Sequence, residues 1–583
     1  MIKVAWYQRW IKRYRHRLGD DGALLPLVTL GILVGLLTGG VIQTFRFMIE
    51  LPGDYWFGHH EHFEALAPVE RLALAAGGAT LLGLTLQFVF KTVPSLGLPH
   101  VVQRLNINHG RFDLRPAVMQ FFIGVWLILT GQSSGREGPA IHLGSAVSAL
   151  TGQFWKLPNN SIRILTGCGT AAAIAASFNT PIAGVLFAME VVLLEYTIAS
   201  FIPIMLSAAA GTLISRIVYG DEAAFLVMPL DYHSYMELPA YIVLGLAIGI
   251  ASAMFCFIHS QGLRFNKLPL WVRYALAGLI TGSIGYFMPS IMGISYDTLD
   301  AALNRQLGFY MLITLGTAKL LASSMSSGLG LPIGIIGPTL VIGGCFGGAA
   351  GIVINYLAPT AITNDAFYVM LGMGAMMGAV MNAPLASLIA LLELTNTPDI
   401  ILPGMITIVV ANLVSTQLFK QEPPHMISLN KLGQHKPMSM FEVALQRVGV
   451  SSLMNSNVKP TQRQLTLDEL GELLVNKPRW VLIEGAQPTL LHGIQLEQWF
   501  NETQENQGLF SEHKVDLLAT PGEQLKVSEL PSQATALEAW QEMQKSEVDA
   551  VHISGLFDAY APALSGIITR PDLENYYHRP RKY

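Results

Sequence analysis

Long stretches of the first 420 residues carry almost no charge, and their length predicts helices that cross a membrane. A helix needs roughly 20 apolar residues to cross the hydrocarbon core of a bilayer. Several runs reach that length, and others are shorter and interrupted by glycine or proline. The pattern therefore predicts an α-helical multi-pass protein in a lipid bilayer. Its long apolar runs are Gly22–Ile49, Leu72–Phe90, Val118–Thr130, Ile242–Ile258 and Ile400–Leu418.

The composition becomes polar after Phe419, which predicts a separate soluble domain. Charged residues are only 13% of the whole chain, against about 25% in an average soluble protein. Beyond Phe419, two segments repeat a pattern of two short strands with an accompanying helix. We therefore predict a transmembrane domain over residues 23–433 and a soluble α/β domain over residues 440–583. The repeat divides this tail into modules at about residues 440–503 and 515–583.

Residues 1–22 alternate basic and aromatic side chains, which is typical of a helix lying at a membrane surface. A signal peptide is the weaker interpretation, because the apolar run that follows is too long and lacks a small-residue cleavage site. Basic residues favour the cytoplasmic side. Two inverted halves, each with an odd number of crossings, would return the chain to that side. We expect both termini to be cytoplasmic, in the inner membrane of a bacterium.

Charge and cysteine content exclude some partners. The formal net charge of −4 gives no reason to expect a nucleic acid. The three cysteines lie in apolar segments and match neither a disulfide framework nor a metal-ligand spacing. The cluster His59–His62 could bind a metal or respond to pH, but a solvated loop is the simpler interpretation. We predict no metal site.

The membrane domain contains an internal repeat. Gly135–Gly144 matches Gly334–Gly343 at an offset of 199 residues. Asn179–Glu190 matches Asn382–Glu393 at an offset of 203 residues, with the proline and the glutamate at the same spacing. Two motifs that recur at nearly one offset predict two halves with the same fold. These halves span about residues 23–219 and 237–420.

Three proline motifs predict helices that begin within the membrane: Leu98-Pro99, Gly138-Pro139 and Gly337-Pro338. Proline is favoured at the first position of a helix. The first amides of a helix have no partner within it, and they carry the positive end of the helix dipole. Several such helix starts without fixed cations would bind an anion weakly. The alternative is that these motifs are kinks packed against neighbouring helices.

Glu137 stands beside one of these helix starts. A carboxylate there would compete with an anion for its place and would leave that place when protonated. Ionisable residues within a membrane are candidates for a functional role. Glu137 is therefore a candidate gate or proton carrier. The alternative is a structural glutamate that caps its helix or pairs with Arg136.

These motifs resemble the CLC family of chloride channels and chloride/proton exchangers. Gly135–Pro139 is identical to the family's Gly-Arg-Glu-Gly-Pro motif, and Ser95–His100 and Gly334–Pro338 are similar to two others. The resemblance covers about residues 25–433, and the tail resembles the paired CBS modules of some members. It implies an inverted-repeat helical fold, a homodimer with one anion route per subunit, and Glu137 as the external gate.

The resemblance also implies the anion-binding residues, two of which depart from the family pattern. The backbone around Gly97 and Gly138 and the amides of Ile335 and Ile336 would contact the anion. Leu96 replaces a serine that usually binds the central anion, and the best alignment places His425 where a tyrosine usually closes the inner side. Both side-chain donors are thus changed, and we expect altered anion occupancy. His425 could act as a donor that responds to pH near about 6–7, or it could simply be solvated. These six positions are Leu96, Gly97, Gly138, Ile335, Ile336 and His425.

A third departure bears on mechanism. Proton-coupled members commonly place a second glutamate directly after the one that matches Glu190, whereas this chain has Val191, as channel-type, voltage-gated members do. Val191 favours passive chloride conduction gated by Glu137. A proton-coupled chloride antiporter is the alternative, because some exchangers lack that glutamate and Glu195 lies about one helical turn further on.

Two further motifs indicate other functional classes. Gly131–Gly135 fits the G-x-S-x-G elbow of serine hydrolases around Ser133, but that elbow requires a strand-to-helix turn. We expect a transport protein rather than an enzyme. In the tail, Thr569 and Asp572 lie in a segment that resembles the ribose-binding part of CBS modules, which would make an adenine nucleotide a ligand. A tail that is only structural is the alternative.

Overall fold

The chain divides into two compact units. The computed structural model describes residues 24–57, 63–90, 95–221, 225, 237–357, 364–433, 439–485, 487–506, 514–554 and 564–578. The larger unit comprises residues 27–154 and 162–436, and the smaller unit comprises residues 437–583 with residues 155–161 and 1–26. The predicted surface helix at residues 1–22 and the cluster His59–His62 lie outside the described residues.

The larger unit is helical throughout the part of it that the structure describes. The helices of the first half are α1 (Leu24–Phe57), α2 (Pro68–Leu84), α3 (Gly97–Ile107), α4 (Leu114–Leu129), α5 (Glu137–Phe154), α6 (Asn159–Phe178), α7 (Pro181–Phe187) and α8 (Ile198–Tyr219). Those of the second half are α9 (Leu238–Gly262), α10 (Leu270–Phe287), α11 (Tyr296–Leu303), α12 (Phe309–Gly328), α13 (Ile336–Leu357), α14 (Asp365–Met381), α15 (Pro384–Thr395), α16 (Ile401–Leu413) and α17 (Pro424–Lys431).

Among the described residues, seven helical segments are long and apolar enough to cross a membrane, judged by length and composition. Several other apolar helices are shorter than a full crossing, such as α4 and α15. This mixture of long and interrupted helices confirms the predicted multi-pass fold. The seven segments are Leu24–Tyr55, Pro68–Val89, Asn159–Phe178, Ile198–Tyr219, Leu238–Lys267, Ile336–Leu357 and Pro398–Leu418.

The predicted helix starts are confirmed, because α3, α5 and α13 begin at Gly97, Glu137 and Ile336, each two residues before its proline. The two halves also pack alike. A Cβ on Gly144 would lie 2.3 Å from the carbonyl oxygen of Gly169, so α5 and α6 approach as closely as glycine permits. In the second half, a Cβ on Gly343 would lie 2.1 Å from the carbonyl oxygen of Gly372, between α13 and α14. Such small-residue contacts let membrane helices pack at short distance.

The two repeated glutamates cap each other's half of the fold. The carboxylate of Glu190 accepts hydrogen bonds from the amides of Leu385 (3.3 Å) and Ala386 (2.8 Å), at the start of α15. The carboxylate of Glu393 accepts from the amides of Ile182 (3.0 Å) and Ala183 (2.8 Å), at the start of α7. Each glutamate satisfies amides that the first turn of the opposite helix leaves without partners. The internal repeat is thus visible as a reciprocal contact.

The smaller unit is a mixed α/β domain, which confirms the predicted fold class of the tail. Its helices are α18 (Met440–Gln446), α19 (Val450–Leu453), α20 (Leu467–Val475), α21 (Gly493–Asn506), α22 (Ala536–Lys545) and α23 (Arg570–His578). Its strands are β1 (Val458–Thr461), β2 (Gln464–Thr466), β3 (Trp480–Ile483), β4 (Thr489–His492), β5 (Lys514–Asp516), β6 (Gln524–Pro531), β7 (Ala550–Ser554) and β8 (Leu564–Thr569).

Six of these strands form one sheet in the order β1-β3-β4-β6-β7-β8. Within it, β1 pairs in parallel with β3, and β3 pairs antiparallel with β4. In the same way, β6 pairs in parallel with β7, and β7 pairs antiparallel with β8, so the tail repeats one three-strand unit. Antiparallel pairing of β4 with β6 joins the two units. Helix α18 comes before the first unit in the chain, yet Leu445 packs in the apolar core around Leu537, Val551 and Ile568 of the second.

Candidate ion-binding site

The site is built where the two repeated glycine motifs meet. The amide of Gly135 donates to the carbonyl oxygen of Gly334 at 2.8 Å, and the amide of Gly334 donates back at 3.1 Å. This antiparallel pair joins equivalent residues of the two halves. A Cβ on Gly334 would lie 2.3 Å from the Gly135 carbonyl oxygen, so only glycine fits. The starts of α5 and α13 are therefore held side by side.

Glu137 sits at this meeting point with its side chain fully buried. Its Oε2 accepts a hydrogen bond of 3.1 Å from the amide of Gly337, in the first turn of α13. Its Oε1 accepts a hydrogen bond of 2.6 Å from the hydroxyl of Tyr296. A negative carboxylate therefore occupies the kind of position that helix-terminal amides offer to an anion.

Arg136 does not pair directly with Glu137 but lies beside it. Its guanidinium stands 5.7 Å from the ring centre of Tyr296, and its Nη2 donates to the carbonyl oxygen of Ser177 at 3.2 Å. Its Nη1 is 3.9 Å from Oε1 of Glu50. Arg136 thus places a positive charge near the site while its donors face other residues.

A cavity of about 390 Å³ lies in the larger unit next to the paired glycine motifs. All six residues named from the family resemblance line it, although they come from four different parts of the sequence. Arg273, His259 and Ser327 also line this cavity. The structure therefore brings the predicted residues together around one space. The six are Leu96, Gly97, Gly138, Ile335, Ile336 and His425.

The cavity lining includes both positions at which the resemblance predicts a departure from the family pattern, Leu96 and His425. Leu96 presents a hydrocarbon side chain just before α3, and Gly97 has a φ of 73°, a conformation that favours glycine. His425 lies in the first turn of α17 and is 5% exposed. Gln120 accepts a hydrogen bond from the Gly97 amide (2.8 Å) and donates one to the Pro332 carbonyl oxygen (3.2 Å). Its side chain thus joins the start of α3 to the segment between α12 and α13.

Val191 is buried in a π-helical segment, Ala188–Leu193, that continues α7. The helix ends there because Leu194 adopts a left-handed conformation, so Glu195 folds back instead of continuing one helical turn onward. Glu195 is 7% exposed, accepts from Ser200 Oγ at 3.2 Å, and lies 3.7 Å from Nη2 of Arg163. A buried carboxylate thus follows the segment that contains Val191.

Several polar residues near the site were not assigned a role from the sequence. Tyr296 is the most direct, because it contacts Glu137. His259 bridges the hydroxyls of Ser327 (3.0 Å) and Ser428 (3.1 Å) in the cavity lining. Two further histidines, His100 on α3 and His142 on α5, form a buried hydrogen bond of 2.6 Å, and His100 also accepts from Arg104 at 2.9 Å. Only the place of His100 beside a helix-start motif could have drawn attention to it.

The hydrolase elbow has no strand before it. The segment Gly131–Gly135 connects α4 with α5, and Ser133 is fully buried with its Oγ 2.9 Å from Ser323 Oγ. In the tail, the amide and the hydroxyl of Thr569 donate to Oδ2 of Asp572 at 3.0 Å and 2.6 Å. These two side chains therefore already cap α23.

Comparison with known proteins gives the family. The sequence model described as "voltage gated chloride channel" matches residues 77–416, more than half of the chain. The chain belongs to the CLC family. Its members are transporters and channels, so this protein transports anions across a membrane and is not an enzyme.

Relatives of both mechanistic types are similar to this CLC protein. The H⁺/Cl⁻ exchange transporter ClcA of Vibrio cholerae is 28% identical over 423 residues, which are 70% of this chain and 89% of ClcA. The voltage-gated ClC-type chloride channel ClcB of Salmonella typhimurium is 26% identical over 406 residues, which are 67% of this chain and 95% of ClcB.

Two solved structures have the same fold. A slow cyanobacterial Cl⁻/H⁺ antiporter superposes with a TM-score of 0.63 at 24% identity, over 70% of this chain and 97% of that one. A eukaryotic CLC transporter superposes with a TM-score of 0.59 at 17% identity, over 94% of this chain and 98% of that one. At these identities the likeness establishes the CLC fold alone, which confirms the predicted fold class.

Proposed function

We propose that this protein exchanges chloride for protons in a bacterial inner membrane. The observation that carries the proposal is the position of Glu137, whose carboxylate accepts the Gly337 amide at the start of α13. The same amide would bind chloride, so anion and carboxylate exclude each other. Relatives that include exchangers support this alternative over the channel that Val191 favours.

One cycle follows from this competition. A proton added to Glu137 neutralises the carboxylate and removes its attraction to the amides and dipole of α13. The neutral side chain leaves, and chloride takes its place at the amide. When chloride departs, Glu137 returns as it releases the proton. Charge at the site is −1 in both states, so one anion replaces another and the proton travels with Glu137.

Glu195 is our candidate for the inner proton acceptor that Val191 does not supply. It is buried, and Ser200 and Arg163 contact its carboxylate. A carboxylate within a membrane protein interior is costly unless it has partners and a role. Proton exchange between Glu195 and Glu137 would complete the route between the two sides.

Channel conduction remains the second candidate because of Val191. Its buried aliphatic side chain can neither accept nor donate a proton. In that case Glu137 would act as a gate only, and chloride would move without proton transport.

The assembly and the tail extend the proposal. We propose a homodimer with both termini in the cytoplasm, as the CLC resemblance implies. Thr569 and Asp572 are adjacent at the start of α23, as a ribose-binding pair would be. An adenine nucleotide would have to replace their mutual hydrogen bond. Calorimetric titration of the purified chain with ATP and AMP tests this, with Asp572→Ala expected to abolish any heat of binding.

The proposed exchange is tested with Glu137→Gln in liposomes. Glutamine keeps the size of the side chain but cannot carry a proton. We expect chloride flux to continue in this variant while chloride-driven proton movement disappears. Wild-type protein that shows no proton movement, with the same chloride flux as the variant, would favour the channel.

A further inference from the structure

We propose that the hydroxyl of Tyr296 holds Glu137 in the anion site, so that its hydrogen bond opposes release of the gate and slows transport. The inference rests on the proposed role of Glu137 and adds a residue to it. Tyr296 is a positioning residue in this account, because it acts through Glu137.

The contact has the geometry of a strong hydrogen bond. The Tyr296 Oη is 2.6 Å from Oε1 of Glu137, within the short range typical of a hydroxyl bonded to a carboxylate. Glu137 has a second bond on the other oxygen, from the Gly337 amide. Chloride could bind at the Gly337 amide without displacing the Tyr296 hydroxyl. Departure of the Glu137 carboxylate, in contrast, must break the hydrogen bond from that hydroxyl.

Tyr296 is itself held firmly. Its ring packs edge-on against Phe225 at 5.6 Å and lies 6.4 Å from Phe178. The preceding residue, Ser295, has a φ of 66°, which costs energy in a residue other than glycine and persists only where the surroundings impose it.

Lys319 supplies that constraint. It is 1% exposed, and its ammonium group donates to Ser295 Oγ at 2.6 Å. It also donates to the carbonyl oxygens of Ile291 (3.2 Å), Gly293 (2.9 Å) and Ile294 (3.2 Å). A buried cation thus fixes the loop before α11, and the loop fixes the hydroxyl toward Glu137.

Charged groups around Glu137 also bear on its protonation, which releases the gate. Arg136 lies over the Tyr296 ring and is balanced in part by Glu50, which also pairs with Arg46. Neutral substitution of the phenol leaves all of these charges unchanged. The charged and titratable groups around the pair are Arg136, Glu50, Arg46, Tyr219 and Lys319.

The test is the pH profile of chloride flux for Tyr296→Phe, which removes the hydroxyl and keeps the ring. A hydrogen bond to the charged carboxylate favours the seated state, so its loss should ease protonation and release. We expect the pH of half-maximal flux to rise by about one unit, and flux at neutral pH to rise up to about tenfold.

Two comparisons make the result specific. Tyr368→Phe removes a buried tyrosine hydroxyl that donates to another glutamate, Glu237, at 3.0 Å. This control should leave the profile unchanged. In the Glu137→Gln background, Tyr296→Phe should also have little effect, because no ionised carboxylate remains to hold.

An unchanged profile in Tyr296→Phe overturns the proposal. So does an equal change in the Tyr368→Phe control or in the Glu137→Gln background, since the hydroxyl would then act on the fold and not on the gate. Failure of the exchange proposal looks different. Protons would then not move in the wild type, while the effect of Tyr296→Phe on chloride flux would still report on the hydroxyl.

Discussion

Individual residues at the ion-binding site leave the central position short of side-chain donors. Leu96 contributes a hydrocarbon side chain to the cavity, and His425 contributes a buried imidazole. In the proposed mechanism, an anion there would take its hydrogen bonds mainly from helix-start amides, such as those of Ile335 and Ile336. Since hydrogen bonds to a charged group contribute about 1.5–3 kcal/mol each, a missing donor should weaken binding measurably.

Leu96→Ser should therefore bind chloride more tightly than the wild type. A serine hydroxyl would add one donor to the anion, worth about tenfold in the dissociation constant. Isothermal titration calorimetry in detergent measures it. Leu96→Ala is the matched control, because it enlarges the cavity without adding a donor. Equal affinities for the serine and alanine variants would show that the hydroxyl contributes nothing.

Glu195→Gln should separate proton movement from chloride movement. The amide oxygen can still accept the hydrogen bond from Ser200 and lie near Arg163, but glutamine cannot carry a proton. We expect chloride-driven proton uptake to fall at least about tenfold, since a step that needs the carboxylate is blocked, while chloride flux continues. Proton uptake at the wild-type rate would remove Glu195 from the route.

The sequence predicts some of these residues and not others for a physical reason. Glu137 stands in a continuous motif, so its place beside a helix start could be inferred. Tyr296 is 159 residues away from it in the chain and belongs to no recognisable motif. Glu195 is adjacent to a motif, but the left-handed Leu194 that turns it back could not be foreseen from the helical pattern.

Among the helices, the short helices α7 and α15 cap each other. Glu190 belongs to the segment that continues α7 and caps α15, and Glu393 belongs to α15 and caps α7. Side-chain caps satisfy amides that would otherwise lack partners. Because the contact is reciprocal, it joins the two halves of the fold as well as stabilising each helix.

Glu190→Gln and Glu393→Gln should each lower the stability of the membrane domain by about 1–3 kcal/mol, because a neutral amide accepts two backbone hydrogen bonds less strongly than a carboxylate does. The melting temperature in detergent, read by fluorescence, measures the loss. Glu422→Gln, at an exposed glutamate, is the control and should melt like the wild type. If both cap variants melted at the wild-type temperature, the result would contradict the capping role of the two glutamates.

The repeat offset allowed the positions of these helices to be predicted, because proline and glycine mark helix starts in the sequence. Their ends could not be predicted in the same way. The π-helical segments Thr85–Val89, Ala188–Leu193 and Val414–Leu418 each continue an α-helix, and nothing in the apolar pattern distinguishes them from it. Likewise, the sequence order of the tail does not reveal that α18 packs with the second three-strand unit.

For the whole molecule, the fold is that of the CLC family, and its two repeated halves meet at the ion-binding site. The antiparallel contact between Gly135 and Gly334 places the starts of α5 and α13 together. At the junction of the two halves, one occupant can replace another while the starts of both helices stay in place. This arrangement suits an exchange of one negative group for another at a single position.

The proposed homodimer predicts a particle of twice the chain mass. One chain has a mass of 63.4 kDa. Mass measurement in detergent, corrected for bound detergent by light scattering with refractive index and absorbance, should give two chains per particle over a tenfold dilution. A particle of one chain throughout that range would contradict the dimer.

The most direct test of the exchange is proton movement against a gradient. Liposomes containing the wild-type protein are loaded with high chloride, diluted into low chloride at equal pH, and followed with a pH electrode and a chloride electrode. If the protein is an exchanger, chloride efflux drives protons into the liposomes, and the external solution becomes alkaline even against a modest opposing pH gradient. Chloride efflux triggered by valinomycin, with no proton movement at all, would contradict the proposed exchange and identify the protein as a chloride channel.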